Sequence, residues 1–412
     1  MKNVWKYVKT CVLAAVFLLA LGAGTESEAA APAQVSGLKQ TDDGSSSVDI
    51  SWDSVIEDDV RYKVELSADP GFSTMKTEET MSTHSYLYGL SAGQKYYVRV
   101  TSFREDTKEY GQPSDILEVV TTPQAAKRNL RQTGAGLTSI TLKWDKMPGT
   151  NAYRLTYNKR GEQTAKISKE LKDVQTFTAK GLSKDTEYEF VLYPRLISAS
   201  GYVAEAGSYD DLWQCPVKPG KVSAVKASFS SPTSSYIDLT WEKKNAADGY
   251  QYEIYSLAGK KEKKIITGKR EYNSDNVYFS SNKLAKQQFL KIRIRAYVVL
   301  SNGANYGEWS GWKYTSKQPD VKINNIKGGQ KLSWKKVQGA DSYTIWISKN
   351  KDSGYKKVKS ITGNSITVKK CGKAAFKKGS SYYYRVVAYK KIGKKIYPGL
   401  QSYIHYKHYY YY

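Results

Sequence analysis

Cysteine is scarce in this sequence, with three residues in 412. Cys11 lies in an N-terminal segment that we expect to be removed, which leaves Cys215 and Cys371 about 150 residues apart. A bridge between them would require two distant parts of the chain to fold back on each other. A fold stapled by disulfides is therefore excluded, and we expect two unpaired, buried thiols.

Histidine is equally scarce, since only His84, His405 and His408 are present, and a cysteine nucleophile would need one of them as its base. The chain also lacks a Gly-x-Ser-x-Gly elbow, a His-Glu-x-x-His pair and a phosphate-binding loop. Paired carboxylates for glycoside hydrolysis have no motif, but they require a cleft. We predict that the protein is not an enzyme and that it binds no cofactor.

Long hydrophobic runs are absent except at the N-terminus, and no helical period follows residue 32. Three lysines precede an apolar run from Cys11 to Leu21, and small residues then lead to Ala29. This order predicts a signal peptide over residues 1–31 with cleavage near Ala29. The run is short for a membrane span of ~20 residues, which disfavours an uncleaved anchor. We expect a secreted protein, extracellular or associated with the cell wall, with no transmembrane segment in the mature chain.

A tryptophan followed by a tyrosine nine or ten residues later is the dominant repeated feature. The four tryptophans are 92, 97 and 93 residues apart, a spacing of one small domain. In each copy the tryptophan ends one predicted strand and the tyrosine begins the next, so we expect the tryptophans in the core. They are Trp52, Trp144, Trp241 and Trp334.

A second signature follows each tryptophan: an apolar residue, a tyrosine six later, and apolar residues at alternate positions. The tyrosines are Tyr96, Tyr188 and Tyr382, while the third copy has Leu290 in that place. The pattern predicts a turn entering a half-buried strand, with the tyrosine hydroxyl bonded to backbone across the turn. Because leucine has no hydroxyl, we expect the third copy to be locally weaker.

Together these residues resemble fibronectin type III domains, and the runs at 66–73 and 382–389 are similar to copies in secreted multidomain proteins of Gram-positive bacteria. The resemblance implies an all-β fold of four tandem immunoglobulin-like β-sandwiches arranged as a rod. Short proline-containing joints at 216–219 and 317–319 predict limited swinging between repeats. The expected bounds are 32–122 for repeat one, 124–215 for repeat two, 220–316 for repeat three, 320–403 for repeat four, and 404–412 for a Tyr/His-rich, partly disordered tail.

Three short motifs are similar to known binding sites, but each is better explained as part of a loop, a turn or the tail. Glu57-Asp58-Asp59 could hold calcium, but adjacent carboxylates point in different directions, so a solvated loop is favoured. Arg160-Gly161-Glu162 is similar to the integrin-binding tripeptide of the fibronectin family, yet it carries Glu in place of Asp, and we interpret it as a hairpin turn. His405 and His408 lack a third good zinc ligand, so we expect no metal site.

Repeat three carries Trp309-Ser-Gly-Trp312, which resembles the Trp-Ser-x-Trp-Ser box of cytokine-receptor fibronectin domains, with Lys313 replacing the second Ser. The resemblance implies arginines between the indole rings, and Arg293 and Arg295 share one face of the preceding strand. We predict a cation–π ladder. An aromatic platform for sugars is the alternative.

Formal charge rises along the chain, from −8 over residues 33–122 to +10 over 218–318 and +18 over 319–412. Lysine outnumbers arginine twenty to one in the last stretch, which suits diffuse attraction to an anionic cell-surface polymer. A protein partner, a carbohydrate bound by exposed aromatics and secreted DNA remain alternatives. The candidate anion-binding residues are Lys335, Lys336, Lys356, Lys357, Lys369, Lys370, Lys377, Lys378, Lys394 and Lys395.

Overall fold

The computed structural model describes residues 30–125, 129–162, 166–207 and 211–410. The predicted cleavage site near Ala29 lies outside these residues. The described chain is almost entirely β-strand; its one helix is a three-residue 3-10 turn. None of the described helices is long and apolar enough to span a membrane.

Repeat one contains seven strands that form a three-stranded sheet, β1-β2-β5, and a four-stranded sheet, β4-β3-β6-β7. Every pairing is antiparallel. The strands are β1 (Lys39–Asp43), β2 (Ser47–Ser51), β3 (Val60–Ser67), β4 (Met75–Thr80), β5 (His84–Tyr88), β6 (Lys95–Arg104) and β7 (Leu117–Val120).

Repeat two has the same order of strands, with sheets β8-β9-β12 and β11-β10-β13-β14, and β15 pairing β13. Burial alternates at every residue of β13, as the period-two apolar pattern predicts. The strands are β8 (Arg131–Gly136), β9 (Ser139–Lys143), β10 (Ala152–Lys159), β11 (Ile167–Lys172), β12 (Thr176–Lys180), β13 (Glu187–Ile197), β14 (Val203–Glu205) and β15 (Asp211–Pro216).

Repeat three repeats this topology, with sheets β16-β17-β20 and β19-β18-β21-β22, and β23 pairing β21. The 3-10 turn Asn282–Leu284 lies between β20 and β21. The strands are β16 (Lys226–Ser228), β17 (Tyr236–Thr240), β18 (Gly249–Ser256), β19 (Lys263–Arg270), β20 (Asn276–Ser280), β21 (Phe289–Leu300), β22 (Gly303–Tyr306) and β23 (Lys313–Ser316).

Repeat four has sheets β24-β25-β28 and β27-β26-β31-β32, with β33 pairing β31 and a small β29-β30 ribbon. Its strands are β24 (Val321–Ile326), β25 (Gly329–Trp334), β26 (Ser342–Ser348), β27 (Lys356–Ile361), β28 (Ser365–Val368), β29 (Lys370–Cys371), β30 (Ala374–Ala375), β31 (Ser381–Ile392), β32 (Lys395–Gln401) and β33 (His405–His408).

The predicted tail from residue 404 and the repeat-four boundary at 403 are wrong. His405–His408 is the last strand of the repeat and pairs with β31. Tyr409 is 2% exposed and belongs to the repeat-four core, where its hydroxyl accepts from the Gly328 N–H at 3.0 Å. Burying this ring and completing the sheet hold the segment in place.

Each repeat has its own hydrophobic cluster between its two sheets. The chain forms two compact units, the first built mainly of repeat one and the second of repeats two to four. Within the second unit, neighbouring repeats share core residues. Ala246 of repeat three packs in the repeat-two cluster, and Leu257 and Phe289 of repeat three pack in the repeat-four cluster.

Candidate functional site

The structure places all four repeated tryptophans in the cores, each 2–5% exposed. Each indole packs against the tyrosine that follows it, with ring centroids 4.9–5.6 Å apart. The sequence pattern did not reveal what the tyrosine hydroxyls do. Those of Tyr62, Tyr153, Tyr250 and Tyr343 accept a backbone N–H from the loop that links the two strands.

The tyrosines of the second signature, which precede a long strand, also accept hydrogen bonds from backbone in repeats two and four. The Tyr188 hydroxyl accepts from the Ser183 N–H, and the Tyr382 hydroxyl from the Lys377 N–H, both at 2.8 Å. Tyr96 lies half-buried at the corresponding place in repeat one. All three tyrosines are the second residue of their strand, β6, β13 or β31. In repeats two and four the hydroxyl pairs with a turn N–H that would otherwise be left to water.

Repeat three uses a different group at this turn. Leu290 is 1% exposed and packs in the core. Lys317, also 1% exposed, donates from Nζ to the carbonyls of Ser234 and of Ala285, the residue after the 3-10 turn. Burial lowers the pKa of Lys317 to about 8, because the protonated ammonium loses its water there.

Arg293, Arg295, Trp309 and Trp312 form the predicted cation–π ladder on the outer face of the five-stranded sheet. The Arg293 guanidinium lies 4.3 Å from the Trp309 ring and 4.7 Å from the Trp312 ring. The Arg295 guanidinium lies 4.4 Å from the Trp309 ring. Because Trp309 contacts both guanidinium groups, its ring offers a sugar little open face.

The ladder is longer than the sequence interpretation allowed. Arg295 continues onto Tyr306 at 3.9 Å, and the Lys291 ammonium lies 4.1 Å from Trp312 and 5.0 Å from Tyr255. Lys291, Arg293 and Arg295 alternate along β21, so the same period-two argument could have found Lys291.

The buried Glu253 carboxylate pairs with Arg293 of the ladder and with Lys264. Lys264 Nζ and Arg293 Nη2 lie 2.6 and 2.5 Å from its oxygens. Hydrogen bonds and charge from these two groups outweigh the effect of burial, which alone would raise the pKa, so the pKa of Glu253 lies below its usual value. The ladder's positive charge is therefore partly neutralised.

All ten candidate lysines of repeat four are exposed. Three of them, Lys357, Lys369 and Lys370, line an open groove of about 400 Å³ between β27 and the end of β28. Lys356 lies beside Gly372, which lines the groove. A Cβ placed on Gly372 would be 3.4 Å from the Lys356 Cδ. The groove brings Lys357 of β27 together with Lys369 and Lys370, which follow β28. In the sequence these lysines occur only as two separate pairs, 356–357 and 369–370.

The short motifs have local structural roles. Glu57 pairs with Arg104 at 2.8 Å and accepts the Ala33 N–H. Gly161 occupies a turn after β10, with φ 80°, and the preceding Arg160 pairs with Glu187.

The histidines and cysteines of the described residues do not cluster. His405 and His408 are an odd number of residues apart in β33 and so project to opposite faces. The described residues contain no group of three or more potential metal ligands. Cys215 is buried and Cys371 half-buried, and both thiols are free. Burial raises the pKa of Cys215 to about 12, so it is a poor nucleophile.

Comparison with known proteins supports the fold. No family model matches the chain. "Fibronectin type III domain-containing protein 1" of Margaritifera margaritifera is 29% identical over 161 residues, which is 37% of this chain and 21% of that protein. The chain therefore matches about a fifth of that relative's length.

Two solved structures also resemble the chain. The chicken CNTN1 FN1-FN3 domains match at 14% identity and TM-score 0.29, covering 70% of this chain and 99% of that one. A two-domain fibronectin type III segment of chicken tenascin matches at 16% identity and TM-score 0.25, covering 44% and 99%.

The strand order that recurs in the four repeats agrees with the description of the Margaritifera margaritifera protein. The fold is fibronectin type III-like. Proteins built from this fold generally act in binding or scaffolding.

Proposed function

We propose that the chain is an exported, non-enzymatic binding protein of the cell surface or extracellular matrix, held to an anionic polymer by its basic fourth repeat. The observation that carries this is the charge of repeat four. Twenty lysines share the repeat with three acidic residues, Asp320, Asp341 and Asp352. Asp341 is engaged by Lys390 at 3.5 Å.

The groove of repeat four gives this charge a concave surface. Among the described residues, no carboxylate pairs with any of Lys356, Lys357, Lys369 and Lys370. Clefts lined by one sign of charge concentrate the field and attract counter-ions, so a chain of anionic groups gains most by lying along this surface.

Salt tests this proposal on the whole secreted chain bound to Gram-positive cell walls. Attraction through exposed lysines weakens as the screening length falls from about 10 Å at 0.1 M to about 3 Å at 1 M salt. We expect retention at low salt and release as salt rises. Retention that ignores salt, or no retention at low salt, contradicts the proposal.

A charge-reversed variant identifies the surface. K356E/K357E/K369E/K370E should release at much lower salt than the wild type. The matched control reverses four exposed lysines of repeat two, K143E/K169E/K172E/K180E, and should release near the wild-type salt. Equal shifts in both variants would mean that only total charge matters.

Carbohydrate binding is the second candidate, favoured by exposed tyrosine pairs on the three-stranded sheets. Tyr236 and Tyr278 stack at 5.3 Å, and both rings are 44–60% exposed. Tyr86 and Tyr88 form a similar pair in repeat one. Salt-resistant wall retention that Y236A/Y278A abolishes would favour this function.

A further inference from the structure

A second basic groove lies where repeat three meets repeat four. It is an open space of about 460 Å³ between the end of β18, the start of β19 and the 3-10 turn, closed at one end by a loop of repeat four. We call it the junction groove; its defining residues are Lys261, Lys263, Lys264, Lys283, Lys286 and Gln338.

The walls of the junction groove are fixed by hydrogen bonds. The Gln288 side chain accepts from Ser256 Oγ at 2.6 Å and donates to the Lys283 carbonyl at 2.8 Å. The Gln338 carbonyl accepts the Phe289 N–H at 2.8 Å, which ties the repeat-four loop to repeat three. The backbone walls of the groove are therefore preformed, so an anion meets lysines whose points of attachment are already in place.

The positive charge of the groove is largely uncompensated. Lys264 pairs with Glu253, but no described carboxylate pairs with Lys261, Lys263, Lys283 or Lys286. The nearby Glu262 pairs instead with Lys291 of the ladder. Like charges gathered on one concave surface repel one another, and an anion in the groove relieves that repulsion.

The lining chemistry selects among anions. No aromatic ring lines the groove, so it offers neither a base nor a flat sugar a surface to stack on. Its cations are all lysines, which bind phosphate as point charges; the planar guanidinium that forks onto a single carboxylate or phosphate is absent from the lining. These features fit a flexible chain whose charge is carried on successive phosphate groups.

We propose that the junction groove binds a segment of a linear phosphate polymer, extending the basic surface of repeat four onto repeat three. Lys335 and Lys336 precede Gln338 in the repeat-four loop that lines the groove, so two further candidate lysines of repeat four lie on the same loop. This inference rests on the proposed attachment to an anionic polymer and assigns it a phosphate ligand and a defined site.

The test measures the affinity of the whole secreted chain for inorganic polyphosphate over a range of salt. K263Q/K283Q/K286Q should bind at least ten-fold more weakly at 0.1 M salt. It should also lower the slope of log affinity against log salt by about two to three, since each lost phosphate contact removes close to one. The control K221Q/K226Q/K243Q removes three exposed lysines of repeat three outside the groove and should change affinity less than two-fold. Matching thermal unfolding of all three proteins ensures that binding, and not folding, is compared.

Each outcome separates the groove from the broader proposal. Equal weakening in both variants overturns the groove site while leaving attachment through repeat four intact. Loss of wild-type binding to polyphosphate and to cell walls overturns both. Tighter binding of heparin, whose charges are sulfates and carboxylates, than of polyphosphate at equal charge overturns the phosphate assignment. Tighter binding of single-stranded DNA than of polyphosphate overturns the argument that the groove offers bases nothing to stack on.

Discussion

Repeats one and three have a groove at the same place in the fold, with opposite character. In repeat one the ends of β3 and β5 and the start of β4 enclose about 310 Å³, lined by Leu66, Met75 and Leu90 with Lys76 as its cation. The adjoining space includes Glu78. In repeat three the corresponding space is lined by five lysines, two at the start of β19 and three from the adjoining turns and loops. The fold supplies the groove in both repeats, and only the side chains decide whether it attracts an anion.

The largest contrast should come from removing the core of one repeat or the other. Trp334→Ala and Trp52→Ala should each cost roughly 3–5 kcal/mol, a large part of a domain's stability. We expect Trp334→Ala to weaken wall retention strongly and Trp52→Ala to preserve it. Calorimetry identifies the lost transition, and sedimentation with cell walls reports binding. Undiminished retention by the Trp334 variant, with its transition missing, would remove repeat four from the binding account.

A second contrast concerns the turn where repeat three uses Lys317 and repeats two and four use tyrosine. Because burial lowers the pKa of Lys317 to about 8 from 10.5, the unfolded chain binds more protons between those values, so stability rises with pH across that interval. The gain should be on the order of 3 kcal/mol, given 1.36 kcal/mol per pKa unit.

Urea unfolding between pH 7.5 and 10.5 measures this gain. Lys317→Met should flatten the slope of the repeat-three transition, while the repeat-two transition serves as the internal control. A slope unchanged by the substitution would show that another group titrates.

The smallest contrast concerns the tyrosine hydroxyls themselves. Tyr188→Phe and Tyr382→Phe should each cost roughly 0.5–1.5 kcal/mol, the net value of one hydrogen bond. Chemical denaturation of each variant measures the loss. Tyr86→Phe, on the exposed face of repeat one, is the control and should cost nearly nothing. Losses near zero at both turn positions would mean that the rings, and not the hydroxyls, hold the turn.

The features that depend on local periodicity, the strands and the cation–π ladder, could be predicted from the sequence. The Trp–Tyr spacing located the strands, and the alternation of Arg293 and Arg295 located the ladder. The last strand was missed because His405–His408 looks like a polar, low-complexity tail until its non-local pairing with β31 is known. The junction groove was missed because its lysines come from two segments about 20 residues apart and its end is closed by the next repeat.

Hydrogen exchange with and without polyphosphate tests most directly whether binding belongs to the lysine-lined grooves. Exchange reports the opening of local segments, so a bound chain should slow it where it contacts backbone. We predict protection over residues 256–265, 283–288 and 356–370, and none over 64–78 in the matching groove of repeat one. Protection of 64–78, or protection confined to the tyrosine faces of the three-stranded sheets, would contradict the account.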